Sequence, residues 1–113
     1  MLNSDLLISL KALGHETRLQ IVEMLLSANL CVGALAQNLG ISEGAVSQHL
    51  RILRKSGLIK GEKKGYWTHY QVQTEVLRQI GERLAGLPER VSNLRDLNQE
   101  ISNTGVEPQN GGE

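Results

Sequence analysis

Apolar residues recur every three or four positions through the first forty residues, which is the spacing of amphipathic α-helices. This pattern predicts a first helix over residues 6–13 that ends at Gly14. It predicts a second helix over 16–27 and a third over 32–39, with residues 29–31 as a connector. All three helices have an apolar face to bury, so the sequence predicts a small helical core.

A fourth helix is predicted between Ser42 and Gly57, two residues of types that commonly stand at helix ends. Ser42 is a natural N-cap, because its hydroxyl can accept a hydrogen bond from a free backbone N–H. Gly57 is expected to end the helix after Ser56 by taking the left-handed conformation. Gly40 supplies the permissive backbone that a sharp turn between the third and fourth helices needs.

Beyond residue 57 the pattern changes to that of a β-hairpin. Two strands are predicted, over 58–62 and 66–72, with Lys63-Lys64-Gly65 as the turn. A fifth helix follows over 75–87, and Pro88 interrupts it. We therefore predict one domain over residues 1–87, a short helical extension over 88–101 and a disordered tail over 102–113.

The charge of the chain is segregated, although its formal net charge is zero. Residues 42–72 contain six basic and two acidic residues, a net charge of +4, whereas residues 1–41 carry −1 and residues 73–113 carry −3. Electrostatic attraction to a nucleic acid is decided locally, so this segment is a candidate for binding phosphate. A basic solvated surface without a partner would look the same in composition.

The remaining bulk properties restrict the class of protein. The 113 residues leave room for one modest core, so a second copy of the chain is an expected source of stability. No apolar run of about 18 residues and no export signal is visible. The single cysteine fits a reducing compartment, and we expect a cytoplasmic protein that does not contact a membrane.

The fourth helix has two chemically distinct faces when it is wound at about 100° per residue. Val46, Leu50 and Leu53 share the apolar face. The opposite face carries Gly44, Ser47, Gln48, Arg51 and Lys55. Gln can pair with adenine and Arg with guanine through two hydrogen bonds each, so this face is suited to reading bases in the major groove of DNA.

A helical bundle with a polar exterior would also show such a helix. The ordered set is more specific, because a glycine turn, a capped helix, a glycine stop and a basic hairpin follow one another. This order predicts a winged helix-turn-helix fold that binds duplex DNA: a mainly α-helical protein with about five helices and a two-stranded wing.

Four stretches of the chain resemble the ArsR/SmtB family of metalloregulatory repressors. They are Ala12–Leu19, Leu30–Val32 with Leu35 and Leu39, Ser42–Leu58, and Lys64–Tyr70. The likeness covers about residues 6 to 87 and is closest to the arsenic-sensing branch. It implies a homodimer formed through the first and last helices, and a repressor that leaves its operator when an inducer binds.

The resemblance also implies which residues contact DNA, with the fourth helix in the major groove and the wing near the minor groove. The predicted DNA-binding residues are Ser42, Gly44, Ser47, Gln48, Arg51, Lys55, Lys63 and Lys64. No enzyme activity and no cofactor is expected, because no acid-base pair, nucleophile elbow or phosphate loop is present. The alternative is a winged-helix protein-interaction module without specific DNA binding.

The sequence departs from the family pattern at the sensor. The arsenic-sensing branch has two cysteines one residue apart, whereas this chain has Cys31-Val32-Gly33. Residues 73–87 contain neither His nor Asp, so the zinc-type site of the family is missing too. No metal site is predicted. Cys31 is either a sensor thiol for a metalloid or thiol-reactive signal, or a small buried apolar residue.

Overall fold

The computed structural model describes residues 3–103, and within that range the side chains other than those of residues 3, 91–93 and 100–103. These residues form six helices and three strands. The helices are α1 (Asn3–Leu13), α2 (Glu16–Ser27), α3 (Val32–Leu39), α4 (Glu43–Lys55), α5 (Thr74–Ala85) and α6 (Leu87–Asn103); the strands are β1 (Leu30–Cys31), β2 (Ile59–Lys64) and β3 (Trp67–Val72). The chain divides into two compact units, residues 1–80 and 81–113.

The core of the first unit lies among α1 to α4 and the base of the sheet. Its fully enclosed side chains include Ile21, Leu35, Leu53 and Leu58. Tyr70 and the side chains around it on the sheet pack against this core from one side. Truncation of a leucine as enclosed as Leu53 to alanine costs about 2–5 kcal/mol, so the inward face of α4 is fixed firmly to the rest of the unit.

Short-range contacts set the ends of α3 and α4 as the sequence predicts. Gly40 adopts a left-handed backbone with φ 68° at the end of α3. The Ser42 hydroxyl accepts a hydrogen bond from the Ala45 N–H at 3.1 Å. At the other end of α4, Gly57 has φ 82°, and the Leu58 N–H donates to the Leu53 carbonyl. This Schellman arrangement stops the helix and turns the chain into β2.

The sheet has three strands rather than the predicted two. Residues 30–31, predicted to be a connector, form β1 and pair antiparallel with β3, so the strand order is β1-β3-β2. A two-residue strand carries too little pattern to be recognised in the sequence.

The hairpin between β2 and β3 is also longer than predicted. Lys63 pairs with Thr68 and Lys64 with Trp67, so the turn consists of Gly65 and Tyr66 alone. The placement of Lys63 and Lys64 in the turn was therefore wrong. Gly65, with φ 66°, supplies the positive backbone angle that lets so short a turn close.

The second unit contains the end of α5 and all of α6. Helix α5 ends at Ala85, two residues before the predicted end, and Pro88 stands in the first turn of α6, where a missing N–H costs nothing. The predicted extension over 88–101 lies within α6, which also includes residues 102–103 that were wrongly predicted to be disordered, and residues 104–113 of the predicted tail lie outside the described residues. None of the helices in the described range is long and apolar enough to cross a membrane.

Candidate nucleic-acid interface

Helix α4 separates its apolar and polar residues as the helical period predicts. Val46, Leu50 and Leu53 are buried, with at most 2 % of each exposed. The residues of the opposite face are all exposed: Gly44, Ser47, Gln48, Arg51 and Lys55. None of them is held by a contact with the core, so their donors and acceptors are available to an external partner. Their contact with DNA stays a prediction.

The first turn of α4 is open to close approach. Among the described residues, a methyl group at Gly44 would meet only the Ser42 hydroxyl, at 3.9 Å. The backbone N–H groups at a helix N-terminus carry partial positive charge and can donate to a phosphate. An anionic backbone could therefore come near this turn without meeting a bulky side chain.

The hairpin carries its charge on exposed strand residues. Lys63 and Lys64 are both exposed at the end of β2 that adjoins the turn. Among the described residues, the six basic side chains from Arg51 to Lys64 take part in no ion pair. No ion pair in the described part of the chain neutralises their charge, so this hairpin is suited to contacting phosphates.

Two aromatic residues extend the hairpin surface, and sequence reasoning did not include them in the site. Tyr66 is 99 % exposed in the turn, and Trp67 is 65 % exposed at the start of β3. The alternating pattern of a strand shows which face a residue takes but not whether that face is covered. Exposed aromatic rings beside lysines add apolar contact area to a cationic tip.

Arg18, in the first turn of α2, is a positioning residue that was not among the predicted site residues. Its Nε donates to the Ala12 carbonyl at 2.6 Å, and its Nη2 lies 3.4 Å from the Lys11 carbonyl. These bonds satisfy carbonyl groups at the end of α1. Arg18 thus links α1 to α2, and its remaining nitrogen points to α4.

The residue of α4 that Arg18 contacts is His49. Its Nδ1 lies 3.4 Å from the Arg18 Nη1, and its ring centroid lies 4.8 Å from that of His15. Burial, and then the charges of His15 and Arg18, lower the pKa of His49 from its ordinary value of 6.5. His15 has a second role, since its Nδ1 accepts from the Thr17 N–H and caps α2.

Cys31 lies on β1, directly before α3. It is half-buried, is opposite His69 in the sheet, and makes no side-chain capping bond. Within the described part of the chain, no group of three or more His, Cys, Asp or Glu side chains could hold a metal ion. A single thiolate offers a soft metal neither chelation nor sufficient affinity.

Comparison with known proteins identifies relatives of this arrangement. Residues 15–60 match the family model described as bacterial regulatory protein, arsR family. The chain is 44% identical over 72 residues to the transcriptional activator HlyU of Vibrio cholerae, covering 63% of this chain and 67% of that protein. It is 42% identical over 67 residues to the arsenical resistance operon repressor of Escherichia coli, covering 58% of this chain and 57% of that protein.

Solved structures show the same fold. An ArsR-like transcriptional regulator from Rhodococcus sp. RHA1 superposes with a TM-score of 0.71 at 26% identity, covering 94% of this chain and 96% of that one. The homodimeric winged helix-turn-helix DNA-binding domain of Mb0332 from Mycobacterium bovis superposes with a TM-score of 0.64 at 24% identity, covering 80% and 84%. The fold is therefore a mainly helical winged helix-turn-helix.

Proposed function

The chain belongs to the arsR family of bacterial regulatory proteins, and from that premise we propose that it is a dimeric repressor released from its operator by an inducer. Members of this family are DNA-binding transcription regulators, not enzymes, so the predictions of family and of a non-enzymatic role are confirmed. The operator, the repressing mode and the dimer are the parts that we propose here. We place this action in the cytoplasm, in contact with duplex DNA.

The exposed face of α4 is the observation that carries the proposal. Ser47, Gln48 and Arg51 lie exposed on a helix whose other face is locked into the core. A rigid helix can hold base-reading groups in one geometry, which loops do less well. We assign Gln48 and Arg51 to base edges, Ser47 to either bases or phosphates, and Ser42, Gly44 and Lys55 to the DNA backbone.

The hairpin is assigned to phosphates beside the minor groove. Among the described residues, Lys63 and Lys64 on β2 take part in no ion pair, and Tyr66 in the turn is 99 % exposed. Phosphate contacts fix the position of a protein on DNA but carry little sequence information. The hairpin would therefore contribute mainly to affinity, and α4 would contribute sequence specificity.

A second copy of the chain completes the proposal. In α1, Leu7 is 52 % exposed, and in the second unit α6 exposes Leu94 and Leu97. Exposed leucines in series are typical of helices that pack against a partner. The homodimeric state of the Mycobacterium bovis domain is consistent with this role for the first and last helices.

The repressing mode rests on the resemblance to the Escherichia coli repressor, since the Vibrio cholerae relative is named an activator. A promoter fusion distinguishes the two modes. With its selected operator placed between promoter and reporter gene, the protein should lower expression. An increase in expression would contradict repression while leaving DNA binding intact.

The first experiment is selection of duplexes from a random library, followed by a salt titration on the selected site. We expect a roughly two-fold symmetric sequence with half-sites about one helical turn, or a multiple of it, apart. If about six to ten phosphates are neutralised per dimer, affinity should fall by orders of magnitude between low and moderate salt. Absence of any enriched sequence, with no duplex binding at low salt, would contradict the proposal and favour a protein-interaction module.

A further inference from the structure

A cavity of about 310 Å³ lies between α1, the first turn of α2 and the second half of α4. It belongs entirely to the first unit. Its lining residues are Ile8, Lys11, Ala12, Arg18, Ile52, Lys55 and Ser56. The volume lies at the lower end of the range of small-molecule sites, which are about 300–1,000 Å³. None of the DNA-reading residues Ser47, Gln48 and Arg51 belongs to it.

The lining of the cavity combines apolar walls with positive charge. Ile8 and Ile52 are 52 % and 42 % exposed, and Ala12 is buried. Among the described residues, three cations line it, Lys11, Arg18 and Lys55, and no Asp or Glu does. Arg18 is fixed by its bond to the Ala12 carbonyl, so at least one of these charges is held in place.

We propose that this cavity binds a small amphipathic carboxylate, a molecule with an apolar body and a single anionic head. The body would cover the two isoleucines, which gains free energy in proportion to the apolar area removed from water. The head would pair with Lys11 and Lys55, whose side chains are exposed and able to reach it. A neutral molecule of the same shape lacks the attraction to the two lysines, and a cationic one is repelled by them.

Ligand binding in this cavity is linked to DNA binding through α4, and this part of the inference rests on the proposed function. Lys55, which we assign to the DNA backbone, also lines the cavity. A carboxylate that engages Lys55 withdraws it from phosphate, and the ligand is itself an anion near the DNA. Because coupling between two sites is reciprocal, bound ligand lowers operator affinity and bound operator lowers ligand affinity. The ligand is therefore an inducer.

The occupancy of the cavity is tested without DNA, by calorimetry and by amide chemical shifts of the intact chain. Octanoate is the probe, and 1-octanol, octylammonium and acetate are the comparisons. Octanoate should saturate with shifts at Ile8, Ala12 and Ser56, and should bind at least about fivefold more tightly than each comparison. Equal affinity for octylammonium, shifts elsewhere, or no saturable binding, as when a second copy covers the cavity, would overturn the proposal.

Two variants test whether a lysine of the cavity supplies the charge that attracts the probe. Lys11→Gln removes a lining cation that we have not assigned to DNA, and Lys60→Gln removes the same charge from an exposed position on β2. Lys11→Gln should weaken octanoate about three- to fivefold and leave octanol unchanged, whereas Lys60→Gln should leave both unchanged. Equal losses in the two variants would mean that general charge, and not this cavity, attracts the probe.

A third variant makes the cavity itself repel an anion. Ile8→Asp places a carboxylate on an exposed wall position and should abolish octanoate binding without unfolding the chain, which circular dichroism checks. In a separate titration, octanoate should weaken operator binding by wild type but not by Ile8→Asp. If octanoate binds but does not weaken operator binding, the inducer role is wrong and the ligand site stands. If the protein binds operator but not octanoate, the ligand site is wrong and the proposed DNA-binding function stands.

Discussion

The Nη1 atom of Arg18 lies 3.4 Å from Nδ1 of His49, which joins the start of α2 to the middle of α4. A guanidinium only donates hydrogen bonds, so His49 accepts at Nδ1 and must be unprotonated there. Arg18 also holds the end of α1 through the Ala12 carbonyl. Arg18 therefore connects α4 to α1 and α2 through a contact that a protonated His49 would lose.

This contact predicts a pH-dependent stability. Burial, His15 and Arg18 lower the pKa of His49 below 6.5, so the folded chain binds fewer protons than the unfolded chain just below that pH. The stabilisation is present above pH 6.5 and is lost as pH falls through the lowered value. Urea unfolding at about pH 7.5 and about pH 5.5 should show a larger loss for wild type than for His49→Gln.

The matched control is His69→Gln on β3, which leaves the Arg18–His49 contact in place. This variant should retain the pH dependence of wild type. If His49→Gln and wild type lose the same free energy of unfolding between the two pH values, the contact does not carry the effect.

Gly44→Ala should raise the stability of the chain and lower its affinity for the operator. A glycine inside a helix destabilises it by about 0.5–1 kcal/mol relative to alanine, and the added methyl group would meet only the Ser42 hydroxyl, at 3.9 Å. The variant should therefore unfold at higher denaturant concentration. It should nevertheless bind operator more weakly, because the methyl group stands where we expect the DNA backbone to approach.

Gly81→Ala in α5 serves as the control for that comparison, since no contact within 4 Å of the added methyl group is found among the described residues. It should stabilise the chain similarly and leave operator affinity unchanged. Undiminished operator affinity in Gly44→Ala, measured beside this control, would show that DNA does not approach the first turn of α4.

Leu7→Glu should weaken the proposed dimer. A charged side chain at an interface would be removed from water without a partner, which costs several kcal/mol. Leu26→Glu is the control, because Leu26 of α2 is 51 % exposed and Leu7 of α1 is 52 % exposed. Sedimentation over a range of concentrations should show more monomer for Leu7→Glu only. Equal dissociation in both variants, or in neither, would argue against an interface through α1.

Cys31 should not control operator release. One half-buried thiol on β1 gives a soft metal no chelate, and the described part of the chain holds no group of three ligands around it. Arsenite, zinc and peroxide should leave the operator affinities of wild type and Cys31→Ser alike in a fluorescence titration. Release by any one of them in wild type but not in Cys31→Ser would make this thiol the sensor.

The sequence predicted the elements that depend on local signals. Ser42, Gly40 and Gly57 each fix a helix end through a bond or angle of their own backbone neighbourhood, and the α4 faces follow from a strict helical period. These interactions span a few residues, so their spacing in the chain is sufficient evidence for them.

The features that were missed depend on residues distant in sequence. Strand β1 exists because β3 lies beside it, about forty residues later, and Arg18 meets His49 across 31 positions. The hairpin turn was placed wrongly because its register is decided by pairs such as Lys64 with Trp67, which a lysine-rich segment does not reveal. The cavity likewise requires α1, α2 and α4 together.

The central claim is that the outer face of α4 reads bases while the hairpin holds phosphates. It is tested most directly by the affinities of Gln48→Ala and Lys64→Ala for the selected operator and for single-base variants of it. Gln48→Ala should lose discrimination, by about 1–3 kcal/mol, at one base pair of each half-site, whereas Lys64→Ala should weaken all sequences alike and reduce the salt dependence. Uniform losses across every sequence for both variants would contradict the claim.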